Sequence, residues 1–242
     1  LDLNGHNVIM TKPLVVNGNL TIVDDSKSGA ITNINENVIN NNGTLTIKNG
    51  SYIANEKNAI TNSGTLTIDN GTLTSDKEYR IHNTGTLIIN NGSIASVNKA
   101  GIYSTGNSTI NGGTITTEHV EAINTYNSEL VINGGTITSV ESNGALLTGT
   151  SKFTLNEGEV IGQTNGVYSN NANNKVYING GHIKGETSSG LYTNATTELN
   201  GGVIEGFTYG VYNYGNNTTT IGNNDGNINI DSPIMKGDSY GL

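Results

Sequence analysis

Side chains able to do chemistry are sparse in this chain. Its 242 residues carry 20 Asp and Glu, 11 Lys and Arg, four His, 11 Tyr and no Cys. The missing Cys excludes disulfides, thiolate metal sites and a Cys nucleophile. General acid–base cleavage of a glycan would need two carboxylates facing one bond. The Asp residues stand apart, at positions 2, 24, 25, 69, 76, 225, 231 and 238. Glu157 and Glu159 flank Gly158 and could act as an acid and base. Gly, Thr or His fills the matching positions nearby, so no constellation is expected there. The sole Arg, Arg80, has Glu78 beside it and reads as half of a solvated surface pair. His6, His82, His119 and His182 are isolated, with no second His at ligand spacing, and read as exposed polar positions. No catalytic residue is assigned.

Two patterns remain. Asp225, Asn227, Asn229 and Asp231 place oxygen donors at every second residue, the chemistry of a hard cation such as Ca²⁺. The stretch lacks the sixth-position Gly and closing Glu of a helix–loop–helix calcium loop, and its alternation also suits a strand with one polar face. No other cofactor is expected. The second pattern is aromatic. Tyr103, Tyr168, Tyr192 and Tyr212 each directly follow an apolar residue: Ile102, Val167, Leu191 and Val211. In a strand the apolar residue points inward, so the Tyr points out. Outward phenols can stack on sugar rings or anchor a protein partner. They can also simply pair across strands and stiffen a sheet.

A repeat sets these positions. The Gly50 of Thr44-Leu-Thr-Ile-Lys-Asn-Gly50 recurs as Gly71, Gly92, Gly113, Gly135, Gly158, Gly181 and Gly202, at intervals of 21 to 23 residues. Three residues before each stands Ile47, Ile68, Ile89, Ile110, Ile132, Leu155, Ile178 or Leu199. Two after it stands Tyr52, Leu73, Ile94, Ile115, Ile137, Val160, Ile183 or Ile204. Nine to eleven after it come Ile60, Ile81, Ile102, Ile123, Leu146, Val167, Leu191 or Val211. Counting from these columns, the outward slots between Tyr103 and Tyr168 hold Asn124 and Leu147, and the earlier ones Thr61 and His82.

Within a repeat the apolar residues lie two apart in runs of three to five, bounded by Gly and Asn, as strands and turns require. Three short strands per 21 to 23 residues predict an all-β chain: a right-handed, single-stranded parallel β-helix of about ten coils. The 33 Gly and 41 Asn then belong to turns and the 32 Thr to wet strand faces. Asn70, Asn91, Asn111, Asn133, Asn156, Asn179 and Asn200 are expected to stack at one turn and hydrogen-bond along the axis. One domain spans 1–242, with looser first coils at 1–43, regular repeats at 44–215 and partial last coils at 216–242. Its edges read as cuts within a longer chain.

Leu1-Asp-Leu-Asn-Gly-His6, Asn17-Gly-Asn-Leu-Thr-Ile-Val-Asp-Asp25, and the recurring Gly-Thr-Leu-Thr-Ile-x-Asn-Gly and Ile-Asn-Gly-Gly-Thr-Ile-Thr resemble the pectin-lyase-like β-helix repeats of large bacterial surface proteins, especially Gram-positive ones. The resemblance implies an exported, non-enzymatic stalk or adhesin at the cell surface. Its partners would be a host or cell-wall glycan or a surface protein, alongside neighbouring domains of the same chain. Nucleic acid is not an expected partner, given one Arg and a net charge of -9. Membrane insertion is not expected either, since no apolar run approaches the roughly 18 residues of a span. Two alternatives stand. A phage tail-spike segment would need an apolar outer face for trimer contacts, for which Leu147 with the Tyr strip is the candidate. A polysaccharide lyase or hydrolase of this fold would need several acids or bases on adjacent coils.

Overall fold

The computed structural model describes residues 1–222 and 234–237. These residues form a three-sided parallel β-solenoid, with no helix among them. The first sheet has eleven strands, from Asn7–Met10 through Ser51–Ala54 to Ile234–Gly237. The second has ten, from Leu14–Val16 to Tyr209–Asn213, and the third has ten, from Asn19–Ile22 to Thr219–Ile221. Every strand pairs in parallel with its copy one coil away, in an unbroken register such as Thr65↔Thr86↔Asn107. A parallel pair has no hairpin, so the chain must travel once around the core before meeting itself.

The inward positions make continuous apolar columns. The third sheet supplies two of them, Leu45, Leu66, Leu87 and Ile47, Ile68, Ile89 among others, all nearly or fully buried. The first sheet supplies Ile31, Tyr52, Leu73 and Ile94, and the second Ile39, Ile60, Ile81 and Ile102. Each such side chain contributes roughly 1.5–3 kcal/mol. Tyr52 is fully buried, and its phenol donates to the carbonyl of Asn49 at 3.1 Å. Burial, and secondarily Asp24, holds that phenol protonated far above the usual range.

Two glycine rows show why the repeat is strict. The anchor glycines sit at positive φ, for instance Gly50 at 99° and Gly92 at 119°, where a side chain is strained. At the corner between the second and third sheets the coils approach still more closely. A Cβ on Gly64 would lie 2.0 Å from the carbonyl oxygen of Gly43, and one on Gly85 would lie 2.1 Å from that of Gly64.

The predicted asparagine stack exists, one residue out of place at its lower end. It occupies the position two before the anchor glycine: Asp69, Asn90, Asn111, Asn133, Asn156, Asn179 and Asn200. Each Asn donates to the residue one coil earlier, at 2.7–2.9 Å, and the last acceptor is the Asp69 carboxylate. Asn91 is not in this row, and Asn70 instead donates to Asn49 at 3.1 Å. A second, buried row lies behind the tight glycine corner. Asn41 donates to Asn62 and Asn62 to Asn83, both at 2.7 Å, and Asn83 donates to Ser104 at 3.0 Å.

In the first coil, buried Asp24 accepts from the backbone N–H groups of Gly5 and Gly29, both at 2.7 Å, and from the Ser26 hydroxyl at 2.8 Å. Burial disfavours its charge, yet these donors together hold the carboxyl below its ordinary 3.8.

Candidate functional site

The outward row of the second sheet reads Asn40, Thr61, His82, Tyr103, Asn124, Leu146, Tyr168, Tyr192 and Tyr212. Three predicted binding residues come together. Tyr168 and Tyr192 have ring centroids 5.1 Å apart, as do Tyr192 and Tyr212. Tyr214 joins them 4.8 Å from Tyr192, and Tyr209 stacks on Tyr212 at 4.8 Å. The column residues are half-buried and Tyr214 is exposed. Parallel pairing stacks identical residues about 4.8 Å apart, which is why three phenols become one surface.

Tyr103 is separate from them. It belongs to a smaller cluster in which Tyr79 stacks on it at 5.0 Å and His82 lies at 5.4 Å. Lys99 Nζ stands 5.7 Å over the Tyr79 ring. The column of outward tyrosines does not include Tyr79. Its signal is its place two residues before inward Ile81, at the mouth of the second sheet. Burial, then Tyr103, Glu78 and Glu121, raise the Tyr79 phenol. Burial followed by neighbouring phenols does the same for Tyr192 and Tyr214. Burial lowers the His82 pKa. At neutral pH Tyr79, Tyr192 and Tyr214 therefore present uncharged phenols that both donate and accept.

Several sequence expectations need correction. Leu147 does not face out. Ala145 takes the inward position opposite Ile123, so Leu146 stands in the outer row and Leu147 is fully buried, in the slot used by Thr125 and Ser169 on adjacent coils. The small Ala145 gave a weaker apolar signal than Leu146, and a shift of one residue exchanges faces. The candidate apolar contact is thus Leu146, not Leu147.

Arg80 is no surface residue either. It is only 2% exposed and fills a corner slot held by Ala59 and Gly101 on adjacent coils. Its guanidinium donates to two backbone carbonyls, Ala95 at 2.5 Å and Glu78 at 2.8 Å. Burial lowers its pKa to about 10, with Asp76 opposing that shift, so it remains charged at neutral pH.

Acids and His do meet on the first sheet, against expectation. His182 lies 3.1 Å from Glu205 and 3.7 Å from Glu159, and Lys236 reaches Glu205 at 2.6 Å. The reason is register: Glu159 pairs with His182, and Lys184 with Glu205. His119 similarly meets Glu141 at 2.7 Å. These are contacts of His and Lys with Glu side chains that stay partly or largely open to solvent. Among the described residues, no group of three or more His, Asp or Glu is placed to hold a metal. The candidate calcium residues Asp225, Asn227, Asn229 and Asp231 lie outside the described residues.

No known protein-family model matches this chain, and neither curated proteins nor solved structures give a significant match. The fold is therefore assigned on its own geometry, as a three-stranded-per-turn parallel β-solenoid.

Proposed function

We propose that this chain is a non-enzymatic stalk or adhesin segment of an extracellular bacterial surface protein, of the pectin-lyase-like right-handed type. It holds an aromatic contact strip for a glycan or a surface protein. The observation that carries the reading is the run of Tyr168, Tyr192 and Tyr212 on three adjacent coils, joined by Tyr214, with rings 4.8–5.1 Å apart. Half-buried aromatic rings fixed on a rigid sheet lose little entropy on binding, as anchor residues should. The recurrent sequence motifs support the surface-protein assignment, and a solenoid of stacked coils suits a spacer because it grows along one axis.

The test is a glycan array together with a panel of immobilised surface proteins, probed with the chain and with a Tyr192→Ala/Tyr212→Ala variant. Binding should fall at least about tenfold in the variant. Unchanged binding would make the strip a purely structural cross-strand stack.

A further inference from the structure

The tyrosine column is a chain of ring contacts as well as a surface. Tyr168, Tyr192, Tyr212 and Tyr209 touch in succession, and Tyr214 meets Tyr192 from the side. Their centroid distances of 4.8–5.1 Å stand at the short end of the roughly 4.5–7 Å that aromatic pairs adopt. The backbone holds the rings there, because Tyr168↔Tyr192 and Tyr192↔Tyr212 are partners in the parallel register. Tyr192 is the hub, with the rings of Tyr168, Tyr212 and Tyr214 against it. The column rings are half-buried, while Tyr214 is 39% exposed and opens the group to solvent. The chain has no Cys and no Trp, and its two Met are oxidised by taking up oxygen as sulfoxides. Phenols are therefore its principal one-electron donors.

We infer that the column is an oxidative cross-linking site, at which Tyr192 joins covalently to Tyr212 or Tyr214 and ties adjacent coils together. The chemistry needs a one-electron oxidant acting twice, such as a haem peroxidase using hydrogen peroxide. Each phenol gives up its hydroxyl hydrogen as one electron and one proton. The unpaired electron spreads to the ring carbons beside the one that bears oxygen, and two such carbons form the new C–C bond. The hydrogens on those two carbons then move to the oxygens and restore both phenols. Two hydrogen atoms leave in all, and one hydrogen peroxide accepts them and becomes two waters. Coupling is governed by proximity, since a short-lived radical joins what already lies against it. A phenoxyl formed at exposed Tyr214 lies 4.8 Å from the Tyr192 ring. The column need not bind a glycan or a protein for this to hold. The product is a covalent tie in a chain that has no Cys for disulfides, and such a tie stabilises mainly by restricting the unfolded chain.

The experiment treats the intact chain, in dilute solution, with limiting hydrogen peroxide and a haem peroxidase. A parallel arm uses a small one-electron oxidant that needs no docking. Monomer and covalent dimer are separated and digested, and their cross-linked peptides are mapped by mass and by dityrosine fluorescence. Peptides joining Tyr192 to Tyr212 or Tyr214, lighter than their sum by two hydrogens, are expected in the monomer. They should outnumber links between chains by at least about tenfold, because neighbours held in contact act at high effective concentration. Tyr126 is the internal control: at 44% it is more exposed than Tyr214, with no aromatic ring of the described residues against it. Tyr192→Phe keeps the ring but forms no phenoxyl. It should remove most dityrosine from the monomer, with circular dichroism and thermal midpoint of the untreated chain unchanged, whereas Tyr126→Phe should leave the yield as it was. A monomer free of dityrosine in both arms would overturn the inference. So would links found only between chains, or links at Tyr126 as frequent as those at Tyr192. Binding on the array that depends on Tyr192 bears only on the contact surface, so the two readings fail separately.

Discussion

The solenoid contains two rows of asparagine that use the same side chain to opposite effect. The inner row, Asn41, Asn62 and Asn83, is fully buried. Its amides are over-committed: the two N–H groups of Asn62 face three acceptors, Asn83 Oδ1 at 2.7 Å, the Thr86 carbonyl at 3.0 Å and the Gly64 carbonyl at 3.2 Å. The outer row, from Asn200 down to Asp69, is exposed or half-buried, and each amide donates to one side chain of the coil before. The inner row donates towards later coils and the outer row towards earlier ones. The outer row tolerates an aspartate at its foot because Asp69 only accepts there. The inner row ends on a serine, Ser104, which also bonds Ser108 at 2.9 Å. Burial, more than residue type, decides which row the fold depends on.

Substitution can break or sharpen that contrast. The largest effect is expected from Asn62→Asp, which puts a carboxylate where two donors and an acceptor must be satisfied. It should destabilise by on the order of 3 kcal/mol or more at neutral pH, read by denaturant unfolding. Burial raises the folded pKa of the introduced acid, so the loss should grow as pH rises past the unfolded value of about 3.9 and shrink below it. In the outer row, Asn133→Ala breaks one exposed and one part-buried bond and should cost only about 0.5–1 kcal/mol. Smallest of all, Asp69→Asn preserves an acceptor for Asn90 and should stay within about 0.5 kcal/mol in the same assay. If Asn133→Ala cost as much as an inner-row change, the outer row would share the structural role assigned here to burial.

The core was legible in the sequence because Gly50 and its copies recur under a hard constraint, positive φ, and because Ile47 and Tyr52 keep fixed distances from it. The Tyr168–Tyr192–Tyr212 contact was legible for the same reason. Legibility failed where a residue's type contradicted its place. Arg80 is charged yet buried, because backbone carbonyls replace the missing carboxylate. Leu146 and Leu147 exchanged faces because Ala145 is too small to mark the inner column. Asp24 is unremarkable in sequence, since its partners Gly5 and Gly29 are backbone groups, which carry no side-chain signature. The His182–Glu205–Lys236 chain needed the coil-to-coil register, which intervals of 21 to 23 residues leave uncertain by up to two residues.

The unbroken parallel register also has a mechanical meaning. Hydrogen bonds between coils, such as that from Thr86 N–H to the Gly64 carbonyl at 2.9 Å, run along the axis of the rod. Tension applied along that axis loads each coil boundary in series, and the weakest boundary opens first. Each coil that peels away frees 21 residues where the repeat is shortest, as between Thr72 and Ser93. Such a coil would lengthen the chain by about 65 Å, the extended length less one coil spacing. Pulled from its ends, the molecule would behave as a staircase of nearly equal extensions rather than a single rupture.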